Sequence, residues 1–434
     1  MGFLLQFRPH FLEVPSALLL ALLFLRMQGA SLRHLLAVAL QFGLISLVVL
    51  PAFLLLHDQF FDSRAYHQPA IWLMGQGWNP LYQFSIAAFR PDHGIRAGLF
   101  IEHYAKSYWF LGSSFYAFFG RLEATKMVNF YCLWLVWASA YKTLKTMFPE
   151  RSPLWWSAFA LLLAANPVAL SQLFSSYLDG CLGCLVSVFL MGLYRFWVTE
   201  KKQDLMTAVW VLPLLINIKF SGLLFAVVGC AVFLVTHGLS FRRLPFRPAL
   251  PLGLMGVLSV FVLGFNPYVR NWMGWGHPFY PAVGWKQGQT VVSDQAPPEF
   301  LAKPALERFL LAQLGRPKLT NPFEREAAMP FSSVSFLPSV DARYGGFGPW
   351  FSGILLLSLA AVFWTRARTW LVFGVWIVLT AIAFPEAWWA RYVPQIGLLP
   401  GVVVLGLMAS GGKWRLFGGW LLSLIILVNA GMVL

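Results

Sequence analysis

The run Phe61-Asp62-Ser63-Arg64-Ala65-Tyr66-His67 crowds ionisable and aromatic side chains together a few residues beyond the apolar segment 32–56. Charge placed where a chain leaves a bilayer is costly unless it is solvated or used, so the run reads as an active-site loop at a membrane face. A continuous helix over 58–70 would set Asp58, Asp62 and Tyr66 on one face, at i, i+4 and i+8. Partial burial beside a second carboxylate makes a carboxylate a better general base near neutral pH, so the chemistry expected here is removal of a hydroxyl proton. The plainer role of Asp62 is to pair with Arg64 or to cap an interfacial helix, and spacing alone does not choose between the two.

Further candidates follow along the chain. Glu102-His103-Tyr104-Ala105-Lys106 offers a carboxylate, an imidazole and an ammonium; Lys106 would hold a phosphate or simply snorkel to the interface. Lys219, at the turn between apolar segments 204–217 and 220–236, points more sharply to an anionic partner, because a lone lysine there has few other uses. Arg270 with Asn271, and Arg391 with Tyr392 after Trp388-Trp389, likewise end apolar segments. Several cations at one leaflet level suggest a polyanionic lipid headgroup. Asp179 is a second carboxylate at a helix mouth, while His67, His103 and His277 are weaker candidates, since an interfacial histidine often only satisfies a hydrogen bond. Cys181-x-x-Cys184 lies inside an apolar segment and reads as core packing. Zinc spacings, phosphate-binding glycine loops and internal repeats are absent.

What positions these residues is a membrane bundle. The 434 residues are 59% hydrophobic, 17% aromatic and only 11% charged. Apolar segments fall near 11–25, 32–56, 123–141, 153–173, 180–198, 204–217, 220–236, 250–265, 349–364, 370–384, 393–410 and 416–434. An all-α polytopic membrane protein with about 11–12 transmembrane helices is expected, since a span takes ~20 residues. The segment at 11–25 carries Glu13 and Pro15 and is either spanning or interfacial; no small-residue cleavage site marks it as a signal peptide. A net charge of +15 would suggest nucleic acid in a soluble protein. Here it is explained by short basic connections, among them Arg26 with Arg33, Lys142 with Lys145, Arg242 with Arg243, and Lys413 with Arg415. By the positive-inside rule these are cytoplasmic, which leaves the long connections 57–122 and 266–348 extracytoplasmic and the protein in the plasma (inner) membrane. Aromatic residues such as Tyr108, Trp109, Trp272 and Trp275 suit interfacial helices in those loops.

The sequence resembles the GT-C superfamily of polytopic glycosyltransferases, whose members include protein O-mannosyltransferases and the aminoarabinose transferase of lipid A. The likeness rests on Asp62 to His67 with Gly77-Trp78-Asn79-Pro80-Leu81-Tyr82, and on the blocks 166–180, 217–222, 266–281 and Arg391-Tyr392-Val393-Pro394. It covers most of the chain and points to a bacterial branch with one transmembrane domain over 1–434. The chain lacks the Asp-x-Asp motif of metal-using oligosaccharyltransferases and a large C-terminal soluble domain, so no metal is expected, although Asp58, Asp62, His103 and Asp179 are the residues that would assemble a site. The resemblance implies transfer of a monosaccharide from a polyprenyl-phosphate carrier to an acceptor hydroxyl on a glycan, lipid or protein. Asp62 would be the base, Asp179 and Asp58 accessory carboxylates, and Lys106, Lys219, Arg270, Arg391 and Tyr392 the phosphate-side ligands. Tyr66, His67, Glu102, His103 and Asn271 would position the acceptor. The competing readings are a lipid-linked glycan polymerase or ligase, and a lipid or sugar transporter. Transporters tend to hold their charges near the midplane on broken helices, whereas the charges here gather at one face.

Overall fold

The computed structural model describes residues 8–27, 29, 31–88, 95–286, 289–290, 296, 298–317, 325–327, 340–342 and 346–434. Each of the apolar segments named above contains helix, and the chain is a multi-pass membrane protein. Among the described residues, five helices are both long and apolar enough to cross a bilayer: Leu32–Leu55, Asp179–Thr199, Phe220–Phe241, Phe246–Leu263 and Lys413–Gly431. The other apolar segments form shorter or less apolar helices. By its internal contacts the chain is described as two compact units, residues 1–130 with 174–177, and residues 131–173 with 178–434.

The first unit opens with α1 (Glu13–Met27) and α2 (Leu32–Leu55), the latter capped by the Ser31 hydroxyl, which accepts from His34 N at 3.3 Å. Neither is polar enough to face water, yet α1 buries no residue and α2 buries only Leu35 and Phe53, as lipid-facing helices do. The expectation of a continuous helix from residue 58 is corrected here: helix starts at Phe61, and Ser63–His67 is a π-helical turn leading into α3 (Gln68–Gly75). Asp58 and Asp62 therefore do not share a helix face. The reason is local, because the Asp58 carboxylate accepts from Phe60 N at 3.2 Å and so turns the chain before the helix instead of joining it. Then come α4 (Ile95–His103) and α5 (Ser107–Phe119), which ends on Gly120 at φ +67°, a left-handed position that suits glycine. Helices α3 and α5 approach closely at Gly112, where a Cβ would lie 2.8 Å from the Ile71 side chain.

The second unit holds most of the bundle. After α6 (Met127–Met147), the expected helix over 153–173 is broken into α7 (Pro153–Ala164) and α8 (Pro167–Ser171). Asn166 caps the second piece, its Oδ1 accepting from Val168 N at 3.0 Å, and Pro167 occupies the first turn, where its missing N–H costs nothing. At the centre is α9 (Asp179–Thr199), buried continuously from Asp179 to Phe196. Its wide apolar surface demands neighbours on all sides. Helices α10 (Lys202–Ile218) and α11 (Phe220–Phe241) are joined by a single extended residue, Lys219 (φ −158°, ψ 152°). Next is α12 (Phe246–Leu258), prolonged by a π turn over Ser259–Leu263, whose Ser259 carbonyl accepts from Asn217 Nδ2 at 2.9 Å. Helices α13 (Arg270–Trp275), α14 (Pro298–Leu301) and α15 (Ala305–Leu314) belong to the second long connection. So do two short antiparallel strand pairs, Val283–Lys286 with Gln289–Thr290 and Gly315–Pro317 with Arg325–Ala327, an addition to the all-α expectation. Four helices complete the chain: α16 (Phe351–Val362), α17 (Arg368–Ile382), α18 (Leu399–Ser410) and α19 (Lys413–Gly431).

Candidate active site

Within the first unit, polar groups converge around the π turn. Asp62 is half-buried at its start, with its N–H donated to the Tyr177 hydroxyl at 3.3 Å. Tyr66 and His67 are buried, and the Trp109 indole N–H donates to His67 Nδ1 at 3.0 Å. That bond makes Nδ1 an acceptor and places the proton of a neutral imidazole on Nε2. Phe100 and Tyr104 pack on Tyr66 with ring centroids 5.3 and 5.9 Å away, so the turn is walled by aromatic rings. A π turn widens the helix and often marks a functional site.

The other acidic and basic candidates of this unit are engaged in holding backbone. Asp58 is buried, and its second carboxylate oxygen accepts from Ser176 N, as the Ser63 hydroxyl does at 3.2 Å. The Asp58 N–H in turn reaches Glu123, whose carboxylate pairs at 2.5 Å with the fully buried Lys126. Glu102 accepts from the Ser85 hydroxyl and Ile86 N at 2.8 and 2.9 Å. Lys106 is buried and donates to the Glu102 and Tyr104 carbonyls at 2.9 and 2.6 Å, satisfying acceptors left over at the end of α4. His103 is buried as the last residue of that helix.

A second constellation lies within the other unit. Asp179, the first residue of α9, sits where the helix dipole favours negative charge. Its carboxylate pairs with Lys219 and lies 4.0 Å from the Arg391 guanidinium. Arg391 also pairs with Asp341 at 3.1 Å. Aromatic faces support both cations: Lys219 Nζ is 4.2 Å from the Tyr392 ring centroid, and Arg391 lies 4.5 Å from that of Trp389. Sequence reasoning brought Asp179, Lys219, Arg391 and Tyr392 forward separately; the fold joins them. It did not bring forward Asp341 or Gln172. Gln172 is fully buried, accepts from Gly180 N at 2.7 Å, donates to the Val340 carbonyl at 2.7 Å and lies 3.5 Å from Asp179. It thus ties the start of α9 to the segment that carries Asp341. Trp389 reinforces that segment by donating to the Asp341 carbonyl at 2.7 Å.

Two candidates stand in α13. Arg270 is half-buried there, and the buried Asn271 uses its amide to hold the Tyr280 and Pro278 carbonyls at 2.8 and 3.4 Å, which folds the loop back on the helix. Among the described residues, no three His, Cys, Asp or Glu side chains gather as metal ligands would.

The chemistry available is that of an anion site. Two cations face two carboxylates in the second constellation, so it is balanced as it stands. The ammonium and guanidinium retain enough donors to take a phosphate oxygen in addition to their carboxylates.

No protein-family model matches the sequence, and no curated protein matches it. Two solved structures of ArnT from Cupriavidus metallidurans are similar in fold, one bound to undecaprenyl phosphate and one in the apo state. Identities are 15% and 16%, TM-scores 0.50 and 0.51, and the likeness covers 91% of this chain and 64% of each of those chains. The chain therefore spans somewhat less than two thirds of the length of the structures it resembles. At such identity the likeness carries the fold, and the GT-C fold expected from the sequence is the fold found.

Proposed function

We propose that the chain is an integral membrane glycosyltransferase that moves a monosaccharide from a polyprenyl-phosphate carrier to an acceptor hydroxyl on the extracytoplasmic side. The observation that carries this reading is the Asp179–Lys219–Arg391–Asp341 constellation at the mouth of α9, with its aromatic backing. A lipid-linked phosphate suits two cations at a helix N-terminus and interface aromatics. One solved structure of the same fold is bound to undecaprenyl phosphate, a ligand of that chemistry.

In the reaction, Asp62 takes the proton of the acceptor hydroxyl while its oxygen bonds to the anomeric carbon. The bond from that carbon to the phosphate oxygen breaks, and its electron pair stays with the departing polyprenyl phosphate. Lys219 and Arg391 stabilise the charge that develops there. Since a phosphate leaves as an anion, no acid is required, and a single displacement inverts the anomeric centre. The chain's own cations fill the place a divalent metal would take, so the reading is metal-independent. The test is direct: purified protein given a polyprenyl-phosphate monosaccharide and a candidate acceptor should release polyprenyl phosphate with formation of a glycoside. Transfer from a nucleotide sugar without lipid would overturn it, and lipid movement without sugar transfer would favour a transporter.

A further inference from the structure

At the end of the bundle opposite Lys219, α11 and α17 leave an open groove of about 630 Å³. Val235, Leu239, Leu371 and Val375 wall it, and the buried Trp376 forms its floor. The floor has no unmet polar demand: the Trp376 indole N–H donates to the Thr236 hydroxyl at 3.1 Å, which itself donates to the Val232 carbonyl at 2.8 Å. Along its length the groove therefore offers hydrocarbon. Val235 and Leu239, 62% and 76% exposed, leave it open to the surroundings of the bundle.

One end differs. Ser240 and Arg368 complete the lining there. The Ser240 hydroxyl oxygen accepts from the Trp197 indole at 3.1 Å, which leaves its own proton to donate. Arg368 is exposed, is the first residue of α17, and has no hydrogen bond, ion pair or ring contact among the described residues. A helix N-terminus adds to its positive potential. An unpaired guanidinium and a hydroxyl donor at the mouth of an apolar groove match a ligand with an anionic head and a hydrocarbon tail.

We infer that this groove binds an anionic phospholipid, with one acyl chain laid along Val235 and Val375 and its phosphate diester held by Arg368 and Ser240. A resident phospholipid fits better than the carrier lipid. Lys219 and Ser240 stand near opposite ends of the 22-residue α11, about 30 Å apart at 1.5 Å per residue, so one headgroup cannot serve both. The Arg368 end is also the basic end of the bundle, with Arg242, Arg243 and Arg366, where an anionic leaflet is expected. The inference stands apart from the proposed transfer reaction.

Binding can be read by native mass spectrometry of the full chain in neutral detergent, titrated with phosphatidylglycerol, phosphatidylcholine or undecaprenyl phosphate. Phosphatidylglycerol should bind in preference to the other two. Arg368→Gln should weaken it roughly tenfold or more, the usual loss for a charge-assisted hydrogen bond. Val375→Trp, which fills the groove without touching charge, should weaken it similarly, while Lys413→Gln, at an exposed cation outside the groove, should not. Equal affinity for phosphatidylglycerol in the wild type and Arg368→Gln overturns the inference, as does equal binding of phosphatidylcholine or preferential binding of undecaprenyl phosphate at the Arg368-dependent site.

Discussion

Lys219 links two helices and at the same time grips Asp179, the first residue of a third. The extended backbone at residue 219 lets both happen, because a helical lysine would follow the apolar faces of α10 and α11 into the bilayer. Close packing enforces the geometry: a Cβ on Gly222 would collide with the Leu215 carbonyl, so the two helices meet too tightly for the link to wander. An ammonium is thereby held beside a carboxylate and over the Tyr392 ring, and its three donors leave it able to take a further anion as well.

Donor recognition should accordingly depend on Lys219. Lys219→Gln is expected to lower kcat/KM for a polyprenyl-phosphate sugar by about 1.5–3 kcal/mol, the worth of a charge-assisted hydrogen bond. Acceptor KM should move little. A change confined to acceptor KM would remove Lys219 from the phosphate.

Asp62 and Asp58 should separate in their effects. Asp62→Asn cannot take a proton and is expected to cost ~10² to 10⁴ in turnover with little loss of thermal stability. Asp58→Asn turns an acceptor-only carboxylate that serves Phe60 N and Ser176 N into an amide, so its main effect should be a lower Tm, from about 1–3 kcal/mol of lost stability. Scanning fluorimetry beside a transfer assay distinguishes them. Normal turnover in folded Asp62→Asn would shift the base elsewhere.

Much of this was legible beforehand and some was not, for physical reasons. Long apolar runs mark membrane helices because the bilayer permits little else, and the basic loops mark their ends. The break at Asn166-Pro167 was legible in principle as a capping signal, but the apolar run on either side masked it. The π turn at Ser63–His67 depends on packing, and helical spacing misplaced Asp58 because its carboxylate turns the chain ahead of the helix that starts at Phe61. Asp341 and Gln172 were out of reach: Gln172 meets the Val340 carbonyl 168 residues away, a pairing with no local trace in either segment.

Gln172 should act as a positioning residue. Gln172→Leu leaves the Gly180 N–H and the Val340 carbonyl without their partner, and should raise donor KM severalfold through displacement of Asp179 and Asp341. Gln172→Glu still accepts from Gly180 N but sets a carboxylate oxygen against the Val340 carbonyl and the Asp179 carboxylate, so it should raise donor KM at least as much as the leucine. Equal donor KM in wild type and Gln172→Leu would leave Gln172 a purely structural residue.

The buried pair of Arg195 and Asp204 anchors the opposite end of α9. Arg195 Nε meets Asp204 at 3.1 Å while its NH1 reaches the Ser139 hydroxyl and carbonyl, both at 3.0 Å, and the Thr143 hydroxyl at 2.8 Å; Lys142 adds a second cation 2.8 Å from Asp204. Removing one member strands the others, so Arg195→Met should destabilise by about 3–5 kcal/mol. The paired change Arg195→Met with Asp204→Leu should recover part of that loss. Additive losses in thermal denaturation would show that the two residues are not coupled.

Orientation is the prediction on which the functional reading depends most. We predict that the short connections rich in Lys and Arg lie on the cytoplasmic side and the loops bearing Asp62 and Arg270 outside, by the positive-inside rule. Cysteines introduced at the exposed positions Ala88 and Gly274 should react with a membrane-impermeant maleimide in intact cells, and cysteines at Lys201 and Lys413 should react only after permeabilisation. The native background is low, because Cys181 and Cys184 are buried and Cys132 and Cys230 only partly accessible within apolar helices. The reverse pattern would put the Asp179 constellation on the cytoplasmic side, where nucleotide sugars are available, and would remove the reason to expect a lipid-linked donor.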